Sequence, residues 1–110
     1  MNIIKKEKDG IPILELTGEI NLRTVQSLRT ACDEVYNTGI KKLVLDFKAV
    51  SYVDSVGLAL LIEMLQRFRQ NGGALVLSNV EDKVRNIFEL TKIDMLLSMF
   101  KCQEDAVASF

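Results

Sequence analysis

A chain of 110 residues, 48% hydrophobic and 26% charged, is long enough to bury a core without disulfides or metals. Its formal net charge of -1 supplies no basic field for nucleic acid or an anionic membrane surface. It contains no histidine, which removes Ser-His-Asp and Cys-His hydrolysis together with the commonest general base at neutral pH.

The opening stretch MNIIKKEKDG has no apolar h-region and does not read as a signal peptide. The longest apolar run, LALLI, is too short to span a bilayer, so the expected location is the cytoplasm, without membrane insertion. The runs NIIKKEK and IPILELTG flank Asp9-Gly10, which predicts a two-residue hairpin. Pro12 suits an edge strand or the first position of a strand. In NLRTVQSLRTACDEVYNTG, residues Val25, Leu28, Cys32, Val35 and Tyr36 share one helical face, with Asn21 placed to cap the helix and Gly39 to end it. KKLVLDF reads as a buried strand. The segment from Ser55 to Asn71 reads as a second helix, stopped by Gly72-Gly73, and ALVLS as the next strand.

Ser78 and Glu81 have capping-box spacing, which predicts a third helix to about Leu90 with Val84, Ile87 and Phe88 inward. LLSMF fits a final short strand and CQEDAVASF a short terminal helix. Strands alternating with helices imply parallel pairing through crossovers. The expected fold is a single α/β domain over residues 1–110, with a mixed sheet of four to five strands opened by an antiparallel hairpin and helices packed on it. Cys32 and Cys102 form no CxxC pair and, without histidine, read as two free thiols rather than a metal site.

The second helix carries two apolar stripes. Leu58, Leu61, Ile62, Leu65 and Phe68 form one, which should face the sheet. Val56, Ala59, Leu60 and Met64 fall mostly on the opposite side, around Glu63 and Arg67. Two readings stand: neighbouring helices bury this second stripe, or it is an exposed apolar patch rimmed by charge, the mark of a protein-binding surface.

VLDFKAVSYVDSVGLALLIEM resembles the signature of the STAS family: a strand ending in aspartate, a short loop, then Asp-Ser-x-Gly-Leu opening a helix. ILELTGEIN resembles the family's second strand, where a Thr-Gly-Glu-Leu-Asp-type stretch precedes the first helix. The likeness covers essentially the whole chain, and stand-alone STAS domains of this size are mostly anti-sigma factor antagonists. The resemblance implies a non-enzymatic switch without cofactor or metal. In it Ser55 is phosphorylated by a cognate anti-sigma factor, itself a serine kinase using ATP, and dephosphorylated by a PPM-type phosphatase. The unphosphorylated form binds the anti-sigma factor and frees the sigma factor. Asp54, Asn21 and Gly57 would neighbour the phosphosite, although Asn21 stands where antagonists often carry aspartate and Val56 replaces a common second serine. On this reading Val56, Ala59, Leu60 and Glu63 form the docking surface of a protein expected to be monomeric. A rival role on the same fold is an accessory subunit of an ABC-type membrane transport complex. A nucleotide-hydrolysing module is disfavoured, because the chain has neither GxxxxGK[ST] nor a GxGxxG after a strand.

Overall fold

In the computed structural model, which describes residues 1–110, β1 (Asn2–Lys8) and β2 (Ile11–Ile20) pair antiparallel with Lys8 opposite Ile11. Asp9 and Gly10 both take positive φ, 52° and 79°, the geometry whose twist matches the flanking strands. The remaining elements follow as α1 (Val25–Asn37), β3 (Lys42–Val53), α2 (Ser55–Gln70), β4 (Ala74–Ser78), α3 (Asp82–Leu90), a 3-10 turn at Ile93–Met95, β5 (Met99–Phe100) and α4 (Gln103–Ala108). The sheet order is β1-β2-β3-β4-β5, antiparallel at the hairpin and parallel at every other step. β2 is therefore an inner strand. Pro12 is tolerated because the β3 ladder begins one residue later, at Ile13.

The strand expected over KKLVLDF continues to Val53. β4 supports it only as far as Asp46, but β2 pairs with it up to Ile20 opposite Val53. α1, α2 and α3 cover one sheet face, closing a core that includes Leu14, Leu16, Leu45, Phe47, Leu75 and Leu77. The other face carries Ile13, Val44 and Val76 under Ala106 and Val107 of α4. α2 ends in a Schellman motif: the Gly72 N–H donates to the Arg69 carbonyl (3.1 Å) and the Gly73 N–H to the Phe68 carbonyl (2.9 Å), with Gly72 at φ 79°.

Two expected caps differ. Ser78 does not cap α3; it lies in β4, fully buried, and its hydroxyl donates to Asp46 Oδ2 (3.2 Å). α3 starts instead at Asp82, with Glu81 as an N-cap that makes no side-chain bond. Asn21 does not cap α1 directly, since the N-cap is Thr24 and Asn21 organises the turn before it. Ile62, expected to face the sheet, is only half-buried.

Asp46 is nearly buried on the α4 side of the sheet and is fully served with donors: the Lys48 N–H, Ser78 Oγ, Asn79 Nδ2 and Gln103 Nε2. Gln103 Nε2 also donates to Glu15 Oε2 (2.7 Å), so one amide ties α4 to two strands. That bond, helped by Lys6 at 3.0 Å, holds the Glu15 carboxyl below its ordinary value. Because the folded pKa is depressed, the contribution is present above the ordinary glutamate range and is lost as pH falls through the lower folded value. Gln103→Ala is expected to flatten this acid-side slope of stability, measured by urea unfolding at a series of pH values below 5. An unchanged slope would show that Gln103 does not hold the Glu15 charge.

Candidate functional site

Parallel pairing of β2 and β3 sets Ile20 beside Val53, so the loops leaving their carboxyl ends are neighbours. This edge is where open α/β sheets place their sites. The Asp54 N–H donates to the Ile20 carbonyl (3.0 Å), closing the pair, and the chain turns directly into α2. Asp54 is the N-cap: its Oδ1 accepts from the Gly57 N–H (2.9 Å) and its backbone carbonyl accepts from the Leu58 N–H. Its other oxygen, Oδ2, accepts from the Leu22 N–H (3.1 Å), across 32 residues of sequence.

Ser55 is the first helical residue and is exposed; the cap is Asp54, which leaves the Ser55 hydroxyl outside the capping arrangement. Asn21 sits in the adjoining loop. Its Oδ1 accepts from the N–H groups of Arg23 (2.9 Å) and Thr24 (3.2 Å), while Thr24 Oγ1 donates to the Glu19 carbonyl (2.7 Å) and accepts from the Asn21 N–H (2.9 Å). An aspartate would accept the same two bonds, so the departure at Asn21 removes a charge without removing the turn.

Gly57 is buried where α2 presses on the sheet. A Cβ there would stand 2.7 Å from Ile20 Cγ2, 2.9 Å from the Ile20 carbonyl oxygen and 2.9 Å from Val53 Cγ1. The glycine thus serves close packing of the helix start. Gly57→Ala is expected to cost ~1–3 kcal/mol, because overpacking against backbone outweighs the gain of up to ~1 kcal/mol in helix propensity. Chemical denaturation checks this, and an unchanged or raised midpoint would refute the clash.

The second stripe of α2 is divided. Val56, at 38% exposure, and Ala59 face outward together with Glu63. Leu60 does not. At 2% exposure it is core, as is Met64 at 1%, so Leu60 is removed from the docking surface. The physical reason is α1, which lies along this side of α2 and contributes Leu28, Cys32 and Val35 to the same core. Arg29 forks onto the Glu63 carboxylate and Arg67 pairs with Asp33, each bridging the two helices. Tyr36 meets Phe68 edge-on at 5.5 Å, with the Arg67 guanidinium 4.1 Å from the Tyr36 ring centre. Glu63 is therefore exposed but already held by Arg29, which keeps its carboxyl below the ordinary value.

Leu22, at 72% exposure, is held beside the start of α2 by its N–H bond to Asp54. Leu22 belongs to no apolar periodicity in the sequence, and only the chain's three-dimensional path brings it to this end of the sheet. Elsewhere, burial pushes the Cys32 thiol up to about 12, so it is no thiolate nucleophile at neutral pH. The largest cavity, about 550 Å³, lies among Glu15, Asp46, Asn79 and Gln103 and does not include Ser55. No helix is long and apolar enough to cross a membrane.

The STAS domain family model matches residues 2–106. BtrV of Bordetella bronchiseptica is 27% identical over 110 residues, covering 100% of this chain and 95% of its own length. The anti-sigma-B factor antagonist of Staphylococcus aureus is 28% identical over 97 residues, which is 88% of this chain and 90% of that one. Among solved structures, the Bacillus anti-sigma factor antagonist SpoIIAA superposes in its unphosphorylated form with a TM-score of 0.79 at 18% identity, over 96% of this chain and 93% of that one. In its phosphorylated form the TM-score is 0.74 at 18% identity, over 98% of each chain.

Proposed function

Because this chain belongs to the STAS domain family, we propose that it is an anti-sigma factor antagonist that works by partner switching. The unphosphorylated protein binds an anti-sigma factor that is also a serine kinase, and the sigma factor is released. Transfer of phosphate from ATP to Ser55 ends that binding, and a PPM-type phosphatase restores it. The chain itself supplies no catalytic group, and the setting is the cytoplasm. The observation that carries this reading is Ser55: an exposed hydroxyl at the first position of a helix whose cap is made by its neighbour Asp54. Phosphate added there meets the positive end of the helix dipole, which stabilises it by ~0.3–1 kcal/mol.

Curated relatives named as antagonists over nearly their full length support the partner class, and a neighbour solved in both phosphorylation states supports the switch. The docking surface comprises Ser55, Val56, Ala59 and the exposed edge of Glu63, with Asn21 in the adjoining loop. Co-purification separates this role from that of a transport accessory subunit. Unphosphorylated protein should retain a small serine-kinase anti-sigma factor and displace a sigma factor from it. Retention of an ABC-type ATPase subunit instead would overturn the proposal.

A further inference from the structure

We propose that Leu22 is an apolar anchor for the anti-sigma factor, and that Asp54 is the positioning residue holding it beside Ser55. This rests on the reading of the Ser55 surface as the docking site, which it extends from α2 onto the loop between β2 and α1. Leu22 is a large aliphatic side chain that contributes to neither core cluster and stands 72% exposed. The turn does not need it, since Asn21 and Thr24 make the turn's internal bonds. What fixes Leu22 is its backbone N–H on Asp54 Oδ2 (3.1 Å), one residue from the phosphoacceptor. Val56, the residue after Ser55, is also exposed and extends the same surface along α2. Its occupant is the anti-sigma factor, because the patch is continuous with the residue that factor would phosphorylate. Complete burial of a leucine side chain that stood in water favours association about tenfold or more.

Asp54 performs two separable tasks with two oxygens. Oδ1 caps α2 through Gly57, and Oδ2 holds Leu22. Asparagine caps helices as well as aspartate does, but has only one oxygen, so its amide N–H groups would oppose the second backbone donor. Asp54→Asn therefore keeps one bond and loses the other.

The test is a double-mutant cycle of Leu22→Ala and Asp54→Asn, read as affinity for the purified anti-sigma factor by titration calorimetry, with wild type and Ser55→Glu alongside. Leu22→Ala should weaken binding about tenfold or more with an unchanged melting temperature, because its side chain is in water. Asp54→Asn should weaken binding too, and the double variant should be no worse than the weaker single one, since both remove the same anchor. Hydrogen exchange at the Leu22 amide should quicken in Asp54→Asn, while that of helix α2 does not. Wild-type affinity in Leu22→Ala, or losses that multiply in the double variant, would overturn the inference. If Asp54→Asn speeds exchange in α2 instead, Leu22→Ala alone decides the anchor. Undiminished binding by Ser55→Glu would instead fell the docking reading itself.

Discussion

Replacing Ser55 with glutamate is expected to lower affinity for the anti-sigma factor about a hundredfold, with the fold intact. The fold survives because the residue is exposed at the first position of α2, where a negative charge faces the favourable end of the helix dipole. The interface does not survive, because docking would bury a charge for which the start of α2 supplies no partner. Asp54 beside it is anionic and has both oxygens bonded to backbone N–H groups. The first two turns of α2, SVGLALL, contain no cation, and Arg29 is already committed to Glu63. A lost contact plus an unpaired buried charge amounts to ~3 kcal/mol, the equivalent of that factor in affinity. Phosphate, with about -1.5 to -2 charges, should do more. Titration calorimetry gives the affinity and circular dichroism the fold; tight binding by Ser55→Glu would contradict the electrostatic switch.

Leu60→Lys, by contrast, is expected to unfold the protein or come close to it. Leu60 is sealed in the core where α2 meets α1, and the carboxylates that bridge these helices, Glu63 and Asp33, are already paired with Arg29 and Arg67. Loss of the buried side chain alone costs ~2–5 kcal/mol, as in Leu60→Ala, and the unpaired charge adds to it. That approaches the whole stability of a domain of this size, ~5–15 kcal/mol. Val56→Lys, one turn earlier and exposed, should change stability by no more than ~0.5 kcal/mol while still weakening partner binding. Thermal melts of the pair decide the matter. A Leu60→Lys variant melting like wild type would place this residue on the surface after all.

The opposite fates of Val56 and Leu60 show how far the sequence could be read. Helical periodicity locates a residue relative to its own helix axis, and it correctly set Leu58, Leu61, Leu65 and Phe68 toward the core. It cannot say which other helix lies alongside. The packing of α1 on α2, fixed by Arg29–Glu63, Arg67–Asp33 and Tyr36–Phe68, buries what a lone helix on a sheet would expose. Capping signals failed where they competed with strand pairing. Ser78 has the spacing of a helix cap, yet its backbone belongs to β4 and its hydroxyl to Asp46.

The hairpin turn, the end of α2 at Gly72 and the start of α2 at Asp54-Ser55 were legible because each is a local event. The bond from Leu22 to Asp54 was not. It joins residues 32 apart in sequence and exists only once two parallel strands bring their carboxyl ends together.

The most direct measurement is to incubate the protein with its anti-sigma kinase and ATP, map the phosphate by mass spectrometry, and titrate the product against the same kinase. One phosphate should be found, on Ser55 and absent from Ser55→Ala, and the phosphorylated protein should bind at least a hundredfold more weakly. Phosphate on Ser51 or Thr24, or undiminished binding by the phosphorylated form, would contradict the switch at the start of α2.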